Sequence, residues 1–114
     1  MLLALKTIAK PNTKVMFHKD TIISEIKKFM NRCGGYADQW YVSLSAHPKK
    51  TLFNRHGVNE RKGDWLFIKA QSGKDAQEVE KYFVNNIGTD GKTTERLYIP
   101  KYIYLYKKSL FTNQ

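Results

Sequence analysis

DWLFIKAQSGKDAQEVEKYFVNNIG, residues 64–88, holds the reading that decides the fold. Asp64 to Ala70 is a strand rich in aromatic and β-branched side chains. Ser72, with Asp75 three positions later, resembles a capping box in which Asp stands for the usual Glu or Gln, and it opens a helix. Ala76, Val79, Phe83 and Ile87 then recur at three- and four-residue steps, one apolar stripe that predicts a helix to about Ile87 with Gly88 as its stop. A half-buried strand followed at once by an amphipathic helix is a unit of mixed α and β structure.

Upstream, the same two periods alternate. Ile22, Ile26, Phe29, Met30 and Cys33 predict a helix over about residues 21–33, with Asp20 or Thr21 as cap and Gly34-Gly35 as its end. Trp40 to Ser45 reads as a strand. Ser45 then caps a short helix in which Pro48 takes an early, donor-free position, Leu52 and Phe53 supply the apolar side, and His56-Gly57 closes it. Asn59 to Gly63 is a polar loop. Downstream, Thr89 to Lys92 is a turn, and a strand is expected from Leu97 to Lys108. There Ile99, Ile103 and Leu105 point one way and Tyr98, Tyr102, Tyr104 and Tyr106 the other, with Pro100 placing the first part at a sheet edge. Residues 1–19, with Leu2, Leu3, Leu5 and Ile8 broken by Pro11-Asn12, read as an arm or a short strand. The expectation is one small α+β domain over residues 1–114: a roughly three-stranded, mainly antiparallel sheet packed by about three helices.

The composition, 41% hydrophobic and 26% charged in 114 residues, has room for one globular core. Twenty lysines and arginines against ten acids leave a net charge of +10. That excess repels itself and draws in polyanions. Nucleic acid is the first expected partner and an acidic protein surface the second. A single cysteine, Cys33, rules out an internal disulfide and any multi-cysteine zinc site, and it falls on the apolar side of its helix. No apolar run approaches the ~18 residues of a membrane span, and no small-residue cleavage site follows the short apolar patch of MLLALKTIAK. The expectation is a cytoplasmic protein with no membrane partner.

The chemistry-bearing motifs are few. His18, His47 and His56 lack paired metal-ligand spacing, and there is neither a dinucleotide-binding glycine fingerprint nor a Walker loop. Tyr41-Val42-Ser43, a short capped helix reaching His56, a tryptophan-bearing strand, and Ala76 with Glu80 four residues on form a different kind of order. Residues 41–80 in this order resemble the central part of a GIY-YIG nuclease-like domain. The resemblance implies metal-assisted phosphodiester hydrolysis, with a tyrosine and a metal-bound water sharing the proton work and a glutamate holding the metal. Carried over by residue, Tyr41 fits the second-motif tyrosine and Glu80 the metal-binding glutamate. Ser43 replaces a glycine, the family's arginine falls at Thr51 with Lys50 or Arg55 out of register nearby, and Gly35-Tyr36 keeps no hairpin spacing ahead of Tyr41. With those parts missing, no cofactor is expected. Mg²⁺ enters only if the chain is a divergent nuclease working through Tyr41, Glu80 and a relocated Lys50 or Arg55. Against that stands a plain packing role: a glutamate beside the apolar stripe pairing at the rim of the core, and a packed strand tyrosine.

The basic residues come in groups: Lys27, Lys28 and Arg32; Lys49, Lys50 and Arg55; Arg61 and Lys62; Lys107 and Lys108. Lys49, Lys50, Arg55, Arg61 and Lys62, which surround the motif region, are the expected phosphate contacts. Tyr102, Tyr104 and Tyr106, bracketed by Lys101, Lys107 and Lys108, make either a base-stacking platform or, if helices cover that face, core. The leading expectation is a basic nucleic-acid-binding module, or one aimed at nucleic-acid machinery, on a GIY-YIG-like scaffold without catalysis, of the size and composition that suit phage or mobile-element proteins. The alternatives are the divergent nuclease and an inhibitor that docks on an acidic surface of a host complex.

Overall fold

The computed structural model describes residues 16–93 and 96–114. Helix α1 spans Lys19–Cys33, strand β1 Trp40–Ser45, and helix α2 Pro48–Lys50 continued by a π-helical Thr51–Arg55. Strand β2 is Trp65–Lys69, helix α3 is Gly73–Lys81 continued by a π-helical Tyr82–Ile87, and strand β3 is Tyr102–Lys107. Of the arm or short strand expected over residues 1–19, residues 1–15 lie outside the described residues, Phe17 forms an isolated bridge to Ala70, and Lys19 already belongs to α1.

The local signals act largely where the sequence puts them. Ser72 Oγ accepts from the Asp75 backbone N–H at 3.1 Å, and Gly88, at φ 97°, ends α3 in the left-handed region that a residue with a Cβ disfavours. Helix α1 starts two residues earlier than its apolar stripe implies. The cap is His18, whose Nδ1 accepts from Asp20 N, in place of Asp20 or Thr21. Likewise His47 holds the α2 cap position, while Ser45 Oγ accepts from His47 N and bonds Thr51 Oγ1 at 2.7 Å.

The sheet order is β1-β3-β2 with both pairings antiparallel, so the last strand is the central one. This corrects the expectation for Leu97–Lys108. Pro100 precedes the strand instead of marking an edge, and Leu97 and Tyr98 are exposed outside it. Proline's missing N–H excludes it from a strand paired on both sides, so the ladder begins only beyond it.

In register, Tyr41 faces Tyr106 and Trp65, Ser43 faces Tyr104 and Phe67, and Ser45 faces Tyr102 and Lys69. Those side chains share one sheet face, and Val42, Leu44, Ile103, Leu105, Leu66 and Ile68 share the other. Helix α1 packs on the second face, where Phe29 meets Trp40 edge-on at 5.7 Å, with α3 beside it and against β1 and β3. Helix α2 covers the first face, with Phe53 edge-on to Trp65 at 5.0 Å and His56 among the tyrosines. The outer edge of β1 is closed by Asp90, which exchanges backbone bonds with Val42 and Trp40, and Phe17 N bonds Lys69 O on the outer edge of β2. At those positions each edge is paired within the chain.

Candidate nucleic-acid interface

Two arrangements come from the α2 face of the sheet: a closed polar cluster beneath the helix, and a line of cations above it.

The cluster centres on His56, buried at the end of α2. The tautomer that satisfies its partners has Nδ1–H donating to the Asn113 carbonyl at 2.5 Å and Nε2 accepting from the Tyr104 hydroxyl at 2.7 Å. Tyr106 donates to the same carbonyl at 3.1 Å, and Tyr41 stacks on Tyr106 with centroids 5.3 Å apart. Burial lowers the His56 pKa, opposed by the Asn113 carbonyl and helped by Arg55, so the ring is neutral at pH 7. Burial likewise raises the Tyr41, Tyr104 and Tyr106 hydroxyls.

Glu80, 0% exposed, extends the cluster. Ser43 Oγ donates to its Oε2 at 3.2 Å, and the Arg96 guanidinium takes both oxygens in a two-pronged pair, each at 3.3 Å. Desolvation pushes the Glu80 pKa up, while Arg96 and then Ser43 pull it down.

Tyr41 and Glu80, the two residues assigned by the GIY-YIG resemblance, therefore meet in one cluster, but as closed groups: Tyr41 is 5% exposed. Thr51, at the expected arginine position, is half-buried and spends its hydroxyl on Ser45. Tyr36 is 81% exposed and makes no ring contact with the cluster among the described residues. Arg55 acts on Tyr41, Tyr104 and Tyr106 electrostatically, but it is Arg96, missed by the sequence reading, that supplies the guanidinium. The residues present do not fit Mg²⁺. Both Glu80 oxygens are held by Arg96, and no group of three metal-ligating side chains converges among the described residues.

Above the helix, Lys49 and Lys50 line a groove of about 290 Å³ with His47 and Tyr102, and Lys69 Nζ stands 5.6 Å from the Tyr102 ring centroid. At the far end of α2, Lys62, Lys107 and Lys108 line a larger groove of about 670 Å³ with Val58, Asp64 and Phe111, but the Lys107 side chain, opposite Trp40 in the register, turns to the α1 face and lies beside Gly35. Arg55 is exposed at the end of α2, between the two. Arg61 shares the Asn59–Gly63 loop with Lys62, and Asn59 Oδ1 accepts from both their backbone N–H groups. Lys108 pairs with Asp90 at 3.2 Å; the other cations of this line form no ion pair among the described residues. Lys27, Lys28 and Arg32 are exposed on α1, across the sheet, and stand apart.

The tyrosine platform is corrected by the burial beneath α2. Tyr104 and Tyr106 are core, their rings covered by His56 and Tyr41, and no base can stack on them. Tyr102, half-buried at the start of β3, is the member of the row that reaches a groove.

No family model matches this chain, and no curated protein or solved structure does. The geometry alone carries the functional argument. In addition, no described helix is long and apolar enough to cross a membrane.

Proposed function

We propose that this protein is a nucleic-acid-binding module, without catalysis, on a GIY-YIG-like scaffold. The observation that carries the reading is that Lys49 and Lys50 line a groove at the start of α2 and Lys62 and Lys108 another beyond its end, with Arg55 exposed on the helix and Arg61 in the loop of Lys62. In a chain of net charge +10, Lys49, Lys50, Arg55, Arg61 and Lys62, which form no ion pair among the described residues, make a field that a polyphosphate neutralises with release of its counterions. The absence of catalysis is supported by Glu80, whose charge is spent on Arg96, and by the burial of Tyr41.

The test is fluorescence anisotropy with labelled DNA and RNA across a salt series. About five or six phosphate contacts give a log–log slope near −4 on a single strand. Lys49→Glu with Arg55→Glu should abolish binding at ~150 mM salt, while Lys28→Glu, across the sheet, should leave most of it. Absence of any binding at ~50 mM salt ends the proposal, and capture of an acidic protein under those conditions would put the inhibitor reading in its place.

A further inference from the structure

We infer that the nucleic acid taken by this track is single-stranded, with one unpaired base stacked on Phe111 at one end of α2 and another on Tyr102 at the other. The inference rests on the nucleic-acid reading above and names the form of the ligand.

Phe111 carries the argument. Its side chain is 85% exposed on the wall of the larger groove, which Lys62 and Lys108 also line. Yet its backbone is fixed: Phe111 N donates to Ser109 Oγ, Ser109 N donates to Thr112 Oγ1, and Asn113 N bonds His56 O at 2.7 Å. The hydrogen bonds of the buried cluster thus hold an aromatic ring out in water among lysines. A ring displayed on a pinned backbone loses little further freedom when a flat partner covers it. Base faces are such partners, but in a duplex they are hidden in the stack and only edges and phosphates are presented.

Tyr102 repeats the arrangement at the other end, half-buried with Lys49, Lys50 and Lys69 around its groove. The grooves sit at opposite ends of β3, Tyr102 to Lys107, five strand steps or about 17 Å apart. At about 3.4 Å per phosphate along a stacked strand, that is about five phosphates. Lys49 and Lys50 stand at the Tyr102 groove and Arg55 is exposed toward the other end of α2, so those phosphates would run along the helix. A duplex gains little here, because α2 lies flat against the sheet and Lys27, Lys28 and Arg32 of the longer α1 are on the opposite layer.

The test compares a labelled oligothymidylate of ~12 nucleotides with a mixed-sequence duplex of ~12 base pairs, at ~50 and ~150 mM salt. The single strand should bind more tightly. Phe111→Ala and Tyr102→Ala should each weaken it about tenfold with the salt slope unchanged, and Tyr102→Phe should keep wild-type affinity. Phe111 is outside the core, so its removal leaves the fold intact and the readout clean. Equal affinity for duplex and single strand, or full affinity in both alanine variants, overturns the single-strand inference while nucleic-acid binding stands. Failure of both probes to bind at ~50 mM salt overturns the two together.

Discussion

Removing Arg96 leaves the Glu80 carboxylate buried with a single hydrogen bond from Ser43. Breaking a fully buried ion pair from one side costs about 3–5 kcal/mol, because the remaining charge has lost its compensation. The Arg96 side chain keeps 22% of its exposure and Ser43 remains, so Arg96→Ala is placed lower, at about 2–3 kcal/mol. At this chain length that lowers Tm by about 8–12 °C. Glu80→Gln keeps the shape and the Ser43 contact and leaves a guanidinium that reaches water, so it should cost about 1 kcal/mol. The double variant should cost less than the sum of the two, since the charge that penalises Arg96→Ala is gone.

The pH dependence separates this account from simple loss of packing. Without Arg96 the Glu80 pKa, already raised by burial, rises further, and the folded state takes up a proton before the unfolded chain does. A raised acid contributes stability below its unfolded pKa and loses it as pH rises through the folded value. The Arg96→Ala deficit should therefore be greatest at pH 7 and shrink as pH falls toward 5. Urea unfolding at both pH values measures it. A deficit under about 0.5 kcal/mol at pH 7, or one that is flat with pH, would refute the charge-compensation argument. If Glu80 held a divalent ion, millimolar Mg²⁺ would raise the wild-type Tm and leave Glu80→Gln unmoved; no shift in either is expected.

Two further outcomes follow from buried polar atoms. His56 is held below its usual pKa of 6.5 by burial, so its contribution is complete above about pH 6.5 and is lost as pH falls through the depressed folded value; His56→Gln should flatten the decline of Tm over that range. Thr89 Oγ1 is buried without a hydrogen-bond partner among the described residues, so Thr89→Val, equal in shape, should be neutral or stabilise by up to about 1 kcal/mol in urea unfolding.

What the sequence makes legible is what residues a few positions apart decide together. The stripes of α1 and α3, the Ser72 cap and the Gly34 and Gly88 stops are local, and the structure reproduces them. Where a boundary moved, at His18 or His47, a histidine took a cap position that Asp20, Thr21 or Ser45 was expected to hold. The alternation in β3 was legible, but not its place in the sheet: Pro100 reports on its own backbone, while the central position follows from pairing with residues 33 and more positions away. The site was legible only in part. Tyr41 and Glu80 have recognisable contexts, whereas Arg96 follows a turn with no periodicity and reaches Glu80 because the chain returns. His56 and Asn113, 57 residues apart, meet only in the folded molecule. Nor does spacing in the sequence reveal that Lys49, Lys50 and Lys62 line grooves at the two ends of α2 while Lys27, Lys28 and Arg32 lie across the sheet.

Helix α2 joins the two halves of the functional reading. Its inward residues, Leu52 and Phe53, together with His56 just beyond it, close the first sheet face; its outward ones, Lys49, Lys50 and Arg55, carry the charge. Cations crowded on one short helix repel one another, and the apolar and hydrogen-bonded underside is what offsets that cost in the free protein. The same underside fixes the Ser109–Asn113 turn through His56 and so aims Phe111. Binding should therefore be sensitive to the core beneath α2 even where no ligand touches it. His56→Gln, which loosens the turn, should weaken single-strand affinity at pH 7 while leaving the salt slope near that of the wild type, because the cations remain in place and only the stacking ring is released. A changed slope would mean that α2 itself had shifted, and the division between a closed underside and a charged upper face would have to be abandoned.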